Sequence, residues 1–210
     1  MKLVLLSDTH TFHDQVKVPD GDVLVHAGDM SLSGAYHEIQ SCLNWLDSQP
    51  HKYVVAIAGN HDWAFARPEK EHLRFGRIQY LEDSGTEIDG IKFYGSPVQP
   101  EFCNWAFNVP RGEAIKKYWN KIPEGTDVLI THGPPRGIGD QAAPHRHSRC
   151  LGCDDLFSAV ERIKPRVHVF GHIHGGYGHT QFGAGTEFFN ASVVNEIYLV
   201  VNVPHVVEID

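Results

Sequence analysis

Five short polar segments hold the residue types able to do chemistry in this chain. They are Asp8-Thr9-His10, Gly28-Asp29, Gly59-Asn60-His61-Asp62, Thr131-His132-Gly133 and Gly171-His172-Ile173-His174. Carboxylate and amide oxygens mixed with imidazole nitrogens suit a divalent transition metal. Each segment alone has a plainer reading. Asp8 and His10 also fit a turn closed by an aspartate side chain, and Asp29 also fits the N-cap of a helix. As a set they are harder to dismiss, because every one of them follows an apolar run. Solvated loops draw on Ser, Lys, Glu and Gly as readily as on His and Asp.

The runs that must position these segments are Lys2 to Leu6, Asp22 to Ala27, Tyr53 to Ala58, Asp127 to Thr131 and Val167 to Phe170. Short, β-branched, apolar runs read as buried parallel strands. Open α/β sheets place their chemistry in the loops beyond the carboxyl ends of such strands. Between the second and third runs, Ile39, Cys42, Leu43 and Leu46 share one stripe at helical spacing, which predicts an amphipathic helix over residues 34–48, stopped before Pro50. Strand, helix and strand in succession make a parallel pair. Gly28 gives the backbone the freedom to turn Asp29 inward.

Further along, a short helical segment is expected over Pro68 to Phe75, then strands at Ile78–Leu81, Thr86–Asp89 and Ile91–Tyr94, with Asp89-Gly90 as a hairpin turn. Ser96 to Arg111 reads as an aromatic loop, either a substrate wall or a packed surface segment. Helices are expected at Glu113–Trp119 and from Cys153-Asp154-Asp155 onward, the latter with Leu156, Val160 and Ile163 buried. Thr186–Asn190, Ile197–Asn202 and Val206–Ile209 alternate as antiparallel strands would. No repeat or linker interrupts the chain, so one domain over residues 1–210 is the expectation.

Composition narrows the function classes. A chain of 210 residues with net charge −8 offers no basis for an extended nucleic-acid groove built on bulk positive charge. A small nucleotide stays open, since metal ions can hold its phosphates. Leu3 to Leu6 is too short for a signal-peptide core and no run approaches a membrane span. Four scattered cysteines, Cys42, Cys103, Cys150 and Cys153, give no disulfide framework, so a cytoplasmic, reduced protein is expected. One rival metal site is a small zinc knuckle of His145, His147, Cys150 and Cys153. A capped helix start at Cys153 is its alternative.

In their order, the five segments resemble the signature of the calcineurin-like metallophosphoesterases, spanning residues 8–174. Gly95-Ser96-Pro97, Gln99-Pro100-Glu101-Phe102, Trp105-Ala106-Phe107-Asn108, Thr131-His132-Gly133-Pro134-Pro135 and His168 to His174 further resemble the subgroup of metallophosphoesterase-domain-containing (MPPED) proteins. The family fold implies an α/β protein, a four-layer α/β/β/α sandwich of two mixed sheets with flanking helices. It also implies a dinuclear centre. Asp8, His10 and His174 would hold one divalent ion, Asn60, His132 and His172 the other, and Asp29 would bridge them. Mixed nitrogen and oxygen ligands fit Mn²⁺, the expected ion, or Fe or Zn²⁺, better than Ca²⁺.

Asp29 and His61 are the expected catalytic residues. A hydroxide between two cations is a nucleophile for phosphorus, and by resemblance His61 stabilises the transition state or protonates the leaving oxygen. Asp62 either orients that imidazole or caps a helix. The resemblance implies hydrolysis of small phosphodiesters, with cyclic nucleotides as one class. Asn60, His61, Arg111, Arg136 and Trp105 are the expected substrate contacts, with Phe102 beside Trp105. A surface or core role is the plainer alternative for each arginine and aromatic. A phosphomonoesterase or nuclease on the same site is the second reading. A non-catalytic protein-binding scaffold is the third, and the complete ligand set counts against it. Two copies could pair through exposed apolar side chains on an antiparallel edge, although no pattern compels it.

Overall fold

The computed structural model describes residues 1–142, 150–182 and 185–210. In chain order its strands are β1 (Lys2–Leu6), β2 (Val23–Ala27), β3 (Tyr53–Ile57), β4 (Ile78–Tyr80), β5 (Ser84–Ile88), β6 (Ile91–Ser96), β7 (Gln99–Pro100), β8 (Asn108–Val109), β9 (Val128–Thr131), β10 (Val167–Phe170), β11 (Gly178–Phe182), β12 (Thr186–Asn190) and β13 (His205–Glu208). The α-helices are α1 (Tyr36–Ser48), α2 (Glu113–Trp119) and α3 (Asp154–Ile163).

Two mixed sheets result. One has the order β13-β1-β2-β3-β4, the other β11-β12-β10-β9-β6-β5. In the first, β1 to β4 run parallel and β13 returns antiparallel against β1. In the second, β12, β10, β9 and β6 are parallel, with β11 and β5 antiparallel at the two edges.

Strand alternation sorts the side chains into layers, because successive residues face opposite sides of a sheet. Leu3, Leu5, Val23, Val25, Val55 and Ile57 meet Phe93, Val128, Ile130, Val167 and Val169 between the sheets. The alternate residues Val4, Leu6, Leu24 and Val54 pack outward on Ile39, Cys42, Leu43 and Leu46 of α1. Tyr94, Leu129, Phe170 and Phe188 pack outward on Ile115 and Trp119 of α2 and on Leu156, Val160 and Ile163 of α3. The layers are therefore helix, sheet, sheet, helix. Among the described residues no helix is long and apolar enough to cross a membrane.

Three expectations are corrected. Thr186–Asn190 forms β12, but it lies parallel to β10 and antiparallel only to β11, a strand the sequence pattern did not indicate. Ile197–Asn202 is not a strand. The side-chain oxygen of Asn195 accepts from the backbone N–H of Ile197 (3.1 Å) and Leu199 (3.0 Å), capturing donors a ladder would need. The aromatic loop from Ser96 contains a short parallel pair, β7 with β8.

Candidate metal centre

The carboxyl ends of β1, β2 and β3 meet those of β9 and β10 at one rim, so the polar segments of both sheets converge. Backbone N–H groups stitch the β1, β2 and β3 exits together. Asp8 N–H donates to Gly28 O (2.9 Å), His10 N–H to Asp29 O (3.1 Å) and His61 N–H to the Asp29 carboxylate (2.8 Å). Asp8, His10, Asp29 and His172 all hold left-handed backbone angles, φ 56°, 42°, 57° and 68°. Such conformations cost non-glycine residues energy and gather at functional sites.

Among the described residues three ligand-type groups form here, two of them containing Asp29. Asp8, His10 and His174 bring one donor atom each within 4.8 Å of one another, as do Asp29, His132 and His172. His10, Asp29 and His61 make the third group, which shares His10 with the first and Asp29 with the second. His10 Nε2 lies 3.6 Å and His132 Nε2 3.3 Å from the same oxygen of Asp29. Asn60 completes the second set, its Oδ1 2.9 Å from His132 Nε2 and 2.8 Å from His172 Nδ1. The structure thus brings together every residue expected as a ligand.

The donor chemistry of these sets fits bound cations. His10, His132 and His174 each place Nδ1 on a backbone carbonyl, of Ser31 (3.0 Å), Ala27 (3.0 Å) and Asn195 (3.1 Å). That donation, the outer support metal-binding histidines use, orients each ring and aims Nε2 inward, where it holds either a proton or a cation. His10 Nε2 and His174 Nε2 then face each other at 3.3 Å, and His132 Nε2 faces the acceptor oxygen of Asn60. Acceptors so close together need a proton or a cation between them. The glycines leave the room required: a Cβ at Gly59 would collide with the carboxylate of Asp29, and one at Gly171 with that of Asp8.

Electrostatics agree. Burial opposes ionisation of Asp8, yet the hydrogen bond and charge of His174 hold its carboxyl below the usual range. Burial likewise opposes Asp29, but the charge and hydrogen bond of His132, with His10 and His61 near, hold it well below that range. Burial pushes His10 down to about 4 and His172 to about 3. For His132 burial is overcome by the Asp29 carboxylate, which raises the imidazole to about 9. Two buried carboxylates held as anions among imidazoles are what divalent ions require.

These observations coincide with sequence similarity. The description Calcineurin-like phosphoesterase matches residues 1–176. The chain belongs to the calcineurin-like phosphoesterase family. It is similar to Metallophosphoesterase domain-containing protein 1 of Homo sapiens, 41% identical over 233 residues, covering 99% of this chain and 71% of the relative. It is similar also to the UPF0046 protein K07C11.7 of Caenorhabditis elegans, 38% identical over 211 residues, covering 93% and 71%. A crystal structure of phosphopantetheinyl hydrolase from Mycobacterium tuberculosis superposes with a TM-score of 0.63 over 94% of this chain and 90% of that one. At 16% identity that likeness is one of fold. Family membership makes the chain a metal-dependent hydrolase of phosphoesters.

Beside the paired sets of this metallophosphoesterase lies a cleft of about 270 Å³, whose lining includes Asp29, Asn60, His61, Phe102, Trp105 and Tyr198. His61 Nδ1 donates to Leu32 O at 2.7 Å, and its ring stacks on Trp105 with centroids 4.2 Å apart. Asp62 stands at the N-cap of the short 3-10 helix Trp63–Ala66, but its side chain bonds neither that helix nor the His61 ring. Its buried carboxylate accepts from the N–H groups of Gly59 (2.8 Å), Met30 (3.2 Å) and Ser31 (2.9 Å), tying the β2 and β3 exits together. Burial, with Asp29 adding to it, pushes Asp62 up to about 6.

The two arginines are elsewhere. Arg111 donates to the carbonyls of Gly152 and Leu151, both at 2.8 Å, and Arg136 reaches Asp154 at 3.4 Å. Neither lines the cleft. Of the rival zinc site, His145 and His147 lie outside the described residues. Cys153 caps α3, its Sγ accepting from Leu156 N–H at 3.4 Å.

Three supporting residues escaped sequence reasoning. His26, buried in β2, accepts from Gly28 N–H at Nδ1 (3.2 Å), which leaves its Nε2–H to donate to Thr9 Oγ1 (3.0 Å). It thereby locks the β1 exit to the β2 exit. A histidine within an apolar strand was the available signal. Asn195 and Tyr198 sit on a turn that the alternating pattern had disguised.

Proposed function

We propose that this metallophosphoesterase cleaves small phosphodiesters, cyclic nucleotides among them. The observation supporting this reading is the charge of the cleft. Among the described residues lining it there is no lysine or arginine, while Asp29 and Glu196 are both there. A monoester carries close to two negative charges and would call for added cations. A diester carries one, which two divalent ions would balance. Aromatic faces of Trp105 and Phe102 offer a surface to a planar group on the far side of the phosphate.

Two divalent ions held by these residues would supply Lewis acidity to phosphoryl oxygens and lower the pKa of a water to near neutrality. The chain's own residues do the rest. Asp29 holds the two sets in register, and the carbonyls of Ser31, Ala27 and Asn195 aim the imidazoles. His61, fixed by Leu32 and Trp105, faces the cleft as the proton donor for the leaving oxygen. Manganese is the ion we assign first, from the mixed nitrogen and oxygen donors.

The test is hydrolysis of bis-p-nitrophenyl phosphate and p-nitrophenyl phosphate by protein stripped of metal and reloaded with Mn²⁺. Higher kcat/KM on the diester, lost in Asp29→Asn, supports the reading and leads to a cyclic-nucleotide screen. Preference for the monoester overturns it in favour of a phosphatase.

A further inference from the structure

The two ligand sets are supported differently. His132 of the second set is fully buried, and its Nδ1 rests on Ala27 at the end of a central strand. The first set leans on a turn far along the chain. The carbonyl of Asn195 accepts both from His174 Nδ1 (3.1 Å) and from Tyr198 N–H (2.9 Å). The Asn195 side chain closes the same turn on Ile197 and Leu199, and Tyr198 sits there with φ 61°. That backbone angle turns its ring into the site. Tyr198 meets His10 edge to face at 4.9 Å and His174 at 5.4 Å between centroids. Edge-to-face packing at such distances restrains both rings. No ring contact joins Tyr198 to His132 or His172 among the described residues. The turn also lies beyond residue 176, outside the part of the chain that matches the family description.

We propose that the Asn195–Tyr198 turn is a positioning element for one ion of the pair, that of Asp8, His10 and His174. Tyr198 holds both imidazoles of that set by ring packing, and Asn195 orients one of them. The inference rests on the paired-ion reading. Its consequence is selective: damage to the turn loosens one ion and leaves the other. Outer supports of metal ligands typically govern affinity by about 10- to 100-fold.

The test titrates metal-free protein with Mn²⁺ by calorimetry and follows the same samples by electron paramagnetic resonance. Wild type should take up two ions and give the broadened signal of a coupled pair. Tyr198→Ala should bind one ion as wild type does and the second about 10- to 100-fold more weakly, with the six-line signal of isolated Mn²⁺ at limiting metal. Tyr198→Phe keeps the ring and should behave as wild type. In an Asn60→Ala background, where the second set is already crippled, Tyr198→Ala should remove most of the remaining binding. Unchanged affinities in Tyr198→Ala, equal weakening of both ions, or a Tyr198→Phe variant as weak as the alanine would each overturn the proposal. Wild type that binds no pair of ions would instead contradict the paired-ion reading on which it rests.

Discussion

His61 takes its aim from the Leu32 carbonyl and the Trp105 ring, both set by loops that pack before any substrate arrives. It lies within ligand distance of His10 and Asp29, but its Nδ1 is bonded to Leu32 O. Both ions of the proposed pair keep the sets of Asp8, His10 and His174 and of Asn60, His132 and His172 without it. His61→Ala should therefore lower kcat by about 10²- to 10⁴-fold, the usual worth of a positioned proton donor, with two ions still bound. Steady-state kinetics beside metal analysis decides this, and loss of metal in the variant would contradict it. A second residue-scale prediction concerns His168, fully buried in β10. Its Nε2 lies 2.8 Å from Thr131 Oγ1, whose own hydrogen goes to Gly133 O, and its Nδ1 has no partner among the described residues. Burial alone pushes it down to about 3. Above pH 6.5 neither the folded nor the unfolded chain protonates it, so its contribution is constant. As pH falls from 6.5 toward 3 the unfolded chain takes a proton the fold refuses, and stability drops. The slope approaches about 1.4 kcal/mol per pH unit for one proton. Urea melts from pH 7.5 to 5 should show His168→Leu losing stability less steeply than wild type, and parallel slopes would contradict the assignment. At this scale the ligand-type residues were legible because strand ends announce them. Arg111 was not, since its partners Leu151 and Gly152 are brought near only by tertiary packing.

At the scale of elements, periodicity served best where packing and pattern agree. The stripe of Ile39, Cys42, Leu43 and Leu46 predicted α1 within two residues of its observed start, and those side chains are the ones buried. Each such aliphatic is worth roughly 1.5–3 kcal/mol in transfer from water. Leu43→Ala should cost about 2–5 kcal/mol in urea unfolding, because a cavity adds to the lost transfer energy. Metal affinity should be unchanged, since α1 lies on the outer face of its sheet, and a weakened ion would contradict that separation. The failure at Ile197–Asn202 has a local cause. Ile197, Leu199, Val201 and Val203 alternate as a half-buried strand would, yet all four are exposed, from 55% to 71%. Asn195 takes the backbone donors first, so the alternation never finds a sheet. The direction of β12 was misjudged for a different reason. Parallel or antiparallel pairing is a property of connections, and β11, rich in Gly, His, Thr and Gln, gave no strand signal to make the connection visible.

For the whole molecule, the layer order was implied by family resemblance rather than by periodicity, which supports a generic α/β class and no more. What the assembled layers add is the convergence of two rims. Asp8, His10, Asp29 and Asn60 come from one sheet, and His132, His172 and His174 from the other. His174 joins Asp8 and His10 from the opposite sheet, and His132 and His172 join Asp29 and Asn60 from it, so both of these sets need the two sheets packed together. On the function proposed, this junction holds two ions, one on either side of Asp29. The direct measurement is an anomalous-difference map from crystals grown or soaked with Mn²⁺. Two peaks roughly 3.5–4 Å apart, one beside Asp8, His10 and His174 and the other beside Asn60, His132 and His172, are the predicted result. A single peak, or peaks away from Asp29, would contradict it.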